Sequence, residues 1–177
     1  MAGPVTVAAV ALPKINFKKL KDSKKLSPEQ REVWAKWIKN NIDYAVVSIS
    51  PAKVDKLNVT KAANLAASKA YRKLLSLNPQ YFSSKVLLDG GLYIEGKKDA
   101  KTIIKGDEKF NCIKLASIIA KVTRDNFMKR LHKKYPLYGF DEHKGYGTKR
   151  HLVALVSRGP SVAHRLTFIK KYNTIKI

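Results

Sequence analysis

SPEQREVWAKWIKNNIDYAVVSIS, residues Ser27 to Ser50, sets a capped helix directly before a β-branched strand. Ser27 is placed to cap the helix, and Pro28 suits the first turn, where a missing N–H costs nothing. Gln30 is placed to close a capping box. Val33, Trp34, Trp37 and Ile38 recur at helical spacing and are expected to form one apolar face. Tyr44 to Ser50 then changes to a β-branched run, the pattern of a strand. Helix followed so closely by strand is the alternation of an α/β fold.

The alternation continues on both sides. Upstream, VTVAAVAL (Val5 to Leu12) reads as a buried strand, and Lys14 to Lys25 as a basic connector ending in DSKKL. Downstream, a helix is expected from about Thr60 to Leu77, striped by Ala62, Ala63, Leu65, Ala66, Ala70 and Leu74, small enough to pack closely. Lys85 to Leu88 is a short strand running into Asp89-Gly90-Gly91, and Lys101 to Lys105 is another, ending at Gly106-Asp107. A long helix from about Cys112 to Lys133 stops before Pro136 and Gly139, and Asp141 to Gly147 reads as a loop. Thr148 then caps a helix that ends at Gly159-Pro160. No repeat or low-complexity segment interrupts the order. The chain is expected to be one domain over residues 1–177, with a basic tail at about 169–177.

Charge narrows the partners. Against 36 Lys+Arg stand 13 Asp+Glu, a net charge of +23. Such self-repulsion opposes compaction unless a polyanion relieves it, and phosphate neutralisation with counterion release is the usual way, so nucleic acid is the expected partner. A lysine-rich surface serving solubility is the plainer alternative. One cysteine, Cys112, excludes an intramolecular disulfide and a cysteine metal cluster, which fits a cytoplasmic protein. The apolar run at Val5 to Leu12 falls far short of the ~20 residues of a membrane helix, so no membrane association is expected.

Asp89 ends a buried-looking strand, the place where α/β sheets gather ligands, and the two glycines after it leave room for a cation. A plain Asp-Gly turn is the competing explanation. Asp125 lies on the long helix with Lys121 a turn before and Lys129 a turn after, and so could simply be part of a solvated ion-pair ladder. Both acids offer hard oxygens suited to magnesium or manganese. His132, His143, His151 and His164 lack the spacing of a helical zinc site. The loop His143-Lys144-Gly145-Tyr146-Gly147-Thr148 interleaves cations, glycines and a ring in a manner suited to phosphate contact and stacking. A structural loop with a buried tyrosine would look the same.

Taken in order, the motifs of the chain resemble bacterial ribonuclease HII. They are Ala2-Gly3-Pro4-Val5, Asp22-Ser23-Lys24-Lys25-Leu26-Ser27, Asp89-Gly90, Lys105-Gly106-Asp107, and Ala116 through Asp125. Tyr138-Gly139-Phe140, His143 to Thr148, and His164-Arg165 with Phe168 complete the set. The resemblance implies a ribonuclease H-like fold, a mixed sheet flanked by helices. It implies a monomeric enzyme that cleaves the RNA strand of RNA–DNA hybrids and nicks at ribonucleotides embedded in DNA. In that family, four carboxylates hold two divalent cations, Mn2+ or Mg2+. Asp89 and Asp125 match the third and fourth. Tyr146 matches the tyrosine near the sugar at the RNA–DNA junction, where the 2′-hydroxyl is sensed. Lys24, Lys105 and Lys144 lie in matching basic motifs and are expected to contact phosphate.

The departure lies at the start. The family carries Asp-Glu-Ala-Gly-Arg-Gly at the end of a first strand just upstream of Ala-Gly-Pro, and this sequence opens Met1-Ala2-Gly3-Pro4. The resemblance therefore implies an N-terminally truncated chain, without the first, central strand and without two of the four acids. Two cations carry about +4, and two aspartates supply about −2 near neutral pH. A poor or inactive nuclease is expected of the sequence as it stands, either as a fragment of an active enzyme or as a silent descendant that keeps hybrid binding. The reading from another class is a non-catalytic basic nucleic-acid-binding protein.

Overall fold

Short polar side chains open four of the helices in the computed structural model, which describes residues 1–12, 17 and 20–170. Strand β1 (Val5–Val10) comes first and stops two residues short of the expected Leu12. Helix α1 (Pro28–Asn41) carries the full capping box: Gln30 N–H donates to Ser27 Oγ at 3.2 Å, and Gln30 Oε1 accepts from Ser27 N–H at 2.9 Å. Strand β2 (Tyr44–Ile49) follows. Helix α2 (Pro51–Leu57) repeats the Ser-Pro opening, with Ser50 Oγ accepting from Lys53 N–H at 3.4 Å. The strand pattern through Ser50 conceals it, because the capping serine also ends the β-branched run. Asn58, at a φ of 65°, accepts from Lys61 N–H at 3.0 Å and starts α3 (Val59–Leu77).

Strands β3 (Leu87–Asp89) and β4 (Lys101–Ile103) are short, and the turn α4 (Gly106–Lys109) leads into the long α5 (Asn111–Lys134). The expected loop at Asp141 to Gly147 begins as a helical turn, α6 (Phe140–His143). Helix α7 (Lys149–Arg158) is capped by Thr148 and ends at Gly159, and α8 (Leu166–Ile169) is the last element. Ile169 is fully buried, so the chain is still packed where the basic tail was expected to begin; residues 171–177 of that tail lie outside the described residues. The basic connector is described only at residues 17 and 20–25. Among the described residues no helix is long and apolar enough to cross a membrane.

The chain divides into two compact units. One combines Thr6–Ser48 with Ala63–Thr123; the other combines Met1–Val5, Ile49–Ala62 and the chain from Arg124. In the first, β1 and β2 form a two-stranded sheet. The Thr6 and Ser48 hydroxyls meet at 2.8 Å and Ala11 N–H donates to Asp43 carbonyl at 2.9 Å, so the strands run antiparallel. β3 and β4 form a second, parallel pair, in register Leu88↔Thr102 and Asp89↔Ile103. The mixed α/β sheet is thus present in two pieces, and no strand of the described residues joins them.

Ile38, Leu115, Ile118 and Ile119 are fully buried at the centre of this unit, each contributing about 1.5–3 kcal/mol by leaving water. Trp34, Trp37 and Phe17 meet edge to face beside them. Val33 departs from the expected apolar face: it lies one position, about a quarter turn, from Trp34 and is 69% exposed. The small-residue stripe of α3 is buried as expected at Ala62, Ala66, Ala70 and Leu74.

In the second unit two arginines gather the start of the chain. Arg124 donates to the carbonyls of Pro4 and Ala2, both at 3.2 Å, and Arg165 to those of Gly3 at 2.9 Å and Pro4 at 3.0 Å. Ala2 N–H in turn donates to Gly145 carbonyl, and Gly3 N–H to Ala163 carbonyl. Ala2, Met128, Tyr138, Phe140, Ala154 and Ala163 form the core around this segment.

Candidate metal and nucleic-acid site

β3 delivers Asp89 at its last position, and the parallel partner β4 turns sharply just beyond the facing Ile103. Lys105 takes the left-handed conformation at a φ of 54°, which brings Gly106 N–H to Asp89 Oδ1 at 3.0 Å. A side chain at Gly106 would meet Ile113 Cδ1 at 2.5 Å and Asp89 Oδ1 at 3.4 Å, so the close approach needs glycine. Asp89 is therefore oriented by a backbone donor at a strand end, and its own carbonyl accepts from Leu92 N–H at 3.1 Å in the turn that follows.

A second acid stands nearby. Asp107 is buried, and its Oδ2 accepts from Lys24 Nζ at 2.9 Å. The hydrogen bond and then the charge of Asp107 raise the Lys24 ammonium above its usual value, with Asp22 and Asp89 adding smaller contributions of the same sign. Lys24 is held by its own turn: Asp22 Oδ1 accepts from Lys24 N–H at 3.2 Å, and Ser23 Oγ meets Ser117 Oγ of α5 at 2.7 Å. This unit thus brings together Asp89, Asp107 and Lys24, with Lys105 exposed at the turn. Sequence reading passed over Asp107 although it stands in the same KGDEK run as Lys105; an acid two residues after a strand-ending lysine was the available signal.

The other unit holds Asp125, Lys144 and Tyr146. Asp125 is half-buried on the later part of α5. The Tyr146 ring is 58% exposed and not the buried ring of a purely structural loop. The Arg124 guanidinium lies 5.4 Å from its centroid, a cation–π contact. Lys144 has a φ of 50°, and its ammonium folds back to donate to Asp141 carbonyl in its own turn. Gly145 follows at a φ of 80°, and a side chain there would strike Ala2 carbonyl oxygen at 2.5 Å.

Among the described residues no group of three His, Cys, Asp or Glu side chains is arranged to hold a metal ion. The carboxylate oxygens of Asp89 and of Asp125 are each of the hard kind that Mn2+ and Mg2+ accept.

The sequence model of the family "Ribonuclease HII" matches residues 1–173. The chain belongs to the ribonuclease HII family. The ribonuclease HII of Endomicrobium trichonymphae is 43% identical over 171 residues, 95% of this chain and 79% of the relative. Among solved structures, ribonuclease HII of Archaeoglobus fulgidus, in its complex with PCNA, is 25% identical with a TM-score of 0.73, covering 99% of this chain and 92% of the other. Ribonuclease H2 of Pyrococcus horikoshii OT3 shares the fold, with a TM-score of 0.62 at 22% identity over 98% of this chain and 93% of the other. The α/β architecture is thus that of the ribonuclease H-like enzymes, with the sheet in two pieces here.

Proposed function

We propose that the chain acts on RNA–DNA hybrids and on duplex DNA containing ribonucleotides, as the ribonuclease HII-type endonuclease its family membership supports. The observation that carries this reading is the family match over residues 1–173, with Asp89 held at the end of β3 by Gly106 N–H. Asp89 and Asp125 serve as metal-binding, catalytic carboxylates for Mn2+ or Mg2+. Tyr146 reads the sugar at the junction, and Lys24, Lys105 and Lys144 neutralise phosphates. The protein is read as a monomeric, cytoplasmic, single ribonuclease HII-type domain. Asp89 and Asp125 by themselves leave the charge of two divalent cations unbalanced, so duplex binding is the part of this activity that these residues support most directly.

The test is cleavage of a duplex bearing one ribonucleotide, with Mn2+ or Mg2+ present. The chain as it stands is expected to bind and barely cleave. An N-terminal extension carrying Asp-Glu-Ala-Gly-Arg-Gly is expected to confer metal-dependent cleavage that Asp89→Asn and Asp125→Asn abolish. Activity surviving both substitutions together contradicts the assignment. A second reading, a non-catalytic binding protein, draws on the missing metal-holding group among the described residues. It predicts salt-sensitive binding with no cleavage even in the extended chain.

A further inference from the structure

Three histidines that the sequence shows only as widely spaced residues come together behind the Tyr146 loop. His143, His151 and His164 are all buried, and His143 stacks on His151 with ring centroids 4.3 Å apart and planes 12° apart. Fixed backbone donors decide where each ring carries its proton. Gly145 N–H donates to His143 Nδ1 at 3.1 Å, so the His143 proton is on Nε2, where it is given to Tyr138 carbonyl at 2.6 Å. Ser161 N–H donates to His164 Nδ1 at 3.0 Å, so His164 Nε2–H donates to His151 Nε2, also at 3.0 Å. His151 is left with its proton on Nδ1, facing Tyr146 carbonyl at 2.8 Å. One self-consistent set of neutral tautomers results, and it grips the Lys144–Gly145 peptide through Gly145 N–H and the Tyr146–Gly147 peptide through Tyr146 carbonyl.

We infer that His151, backed by His164 and stacked on His143, is a positioning residue that sets the Tyr146 ring for recognition of the ribonucleotide sugar. This rests on the reading of Tyr146 given above. The rings cannot act as a metal site in this state, because His151 and His164 spend their facing nitrogens on each other. A proton added to any of the three places two donors face to face and breaks one of these bonds. Burial, first among the causes, pushes all three below the ordinary 6.5. Around them stand Arg150, Glu142 and Asp141 beside His143, and the Met1 ammonium near His151 and His164.

The experiment has a spectroscopic arm and a binding arm, both on the full chain. Ring nitrogen shifts near neutral pH are expected to show His151 protonated at Nδ1 and His143 and His164 at Nε2; any other tautomer of His151 overturns the inference. Binding is measured without divalent cations, on a duplex with one ribonucleotide and on its all-DNA counterpart. Tyr146→Ala is expected to lose the preference for the ribonucleotide. His151→Leu, which keeps bulk but not the donor, is expected to lower that preference by about tenfold, the scale of one buried hydrogen bond. His151→Asn, whose amide can still donate to Tyr146 carbonyl, is expected to keep most of it.

A preference that survives His151→Leu but not Tyr146→Ala overturns the positioning role alone. Equal loss in the Leu and Asn variants assigns the effect to packing and likewise overturns it. A preference that is absent from the unmutated chain, or that survives Tyr146→Ala, removes the Tyr146 reading and the inference with it. Circular dichroism reports folding, and if His151→Leu does not fold, the tautomer and the Asn variant decide.

Discussion

Lys24 Nζ sits 2.9 Å from Asp107 Oδ2, joining a side chain that is 79% exposed to one that is 8% exposed. Lys24 is proposed above as a phosphate contact, yet here its charge is already engaged by an acid. The ammonium has three donors, so an incoming phosphate either shares it with Asp107 or displaces that acid, and in both cases the carboxylate charge opposes the phosphate. Because the ammonium is so exposed, the ion pair contributes at most about 1 kcal/mol, and Lys24→Ala should barely change stability.

Binding is the better measure of this pair. Lys24→Ala should weaken duplex affinity and reduce the slope of log affinity against log salt by about one, since one phosphate contact is lost. Asp107→Asn removes the competitor and should strengthen binding. Titrations of the three proteins at several salt concentrations check both signs, and identical slopes for the unmutated chain and Lys24→Ala would take Lys24 off the phosphate.

Gly145→Ala should be among the most damaging single-atom changes in the loop. The residue holds a φ of 80°, and the new methyl would lie 2.5 Å from Ala2 carbonyl oxygen, which is backbone and cannot rotate away. Left-handed strain plus displacement of that segment should cost about 3 kcal/mol. Gly91→Ala is the control, at a φ of 81° with nothing within 4 Å, and should cost only about 1 kcal/mol of strain. Denaturant unfolding of the pair compares them; equal losses would mean that the Ala2 contact gives way easily.

These two sites show what could be read from residue order and what could not. Local signals survived folding: Ser27, Thr148 and the alanine stripe of α3 do in space what their neighbours in sequence announce. The place of Asp89 at the end of β3 was legible because a strand ending in Asp-Gly-Gly is itself local. Helix α2 was hidden by Ser50, which serves both the strand pattern and the cap. The Lys24–Asp107 pair joins residues 83 positions apart, and the histidines meet across separations of 8 and 13 residues in different elements. Tertiary contacts of that kind leave no trace in a sliding window.

Asp55 on α2 anchors the C-terminal turn α8. Its carboxylate accepts from Leu166 N–H at 2.6 Å, from Thr167 N–H at 3.0 Å and from the Thr167 hydroxyl. Burial alone would raise the acid, but the bonds from Thr167 and Leu166, helped by the Arg165 charge, outweigh it and hold the carboxyl below 3.8. A carboxyl depressed in the folded state contributes stability above its unfolded value and loses it as pH falls through the folded one. Asp55→Asn should therefore cost about 1 kcal/mol near pH 6 and progressively less below about pH 4. Denaturant unfolding at both ends of that range checks it, and a gap that persists in acid would mean the charge is irrelevant to the cap.

The histidine chain gives the opposite chemistry with the same sign. His151 is fully buried and neutral, and burial lowers it from 6.5 to about 4, with His143 and His164 lowered by the same cause. The unfolded chain thus takes up protons that the folded chain refuses, so stability is complete above about pH 6.5 and falls steadily as pH drops toward about 4. For His151 alone the loss across that window is about 3 kcal/mol. His151→Asn removes a titrating group and keeps a donor to Tyr146 carbonyl, so it should be less stable near neutral pH yet flatter in acid. Unfolding free energies measured from about pH 7 to about pH 4.5 distinguish the two slopes, and parallel curves would show that some other group takes up the proton.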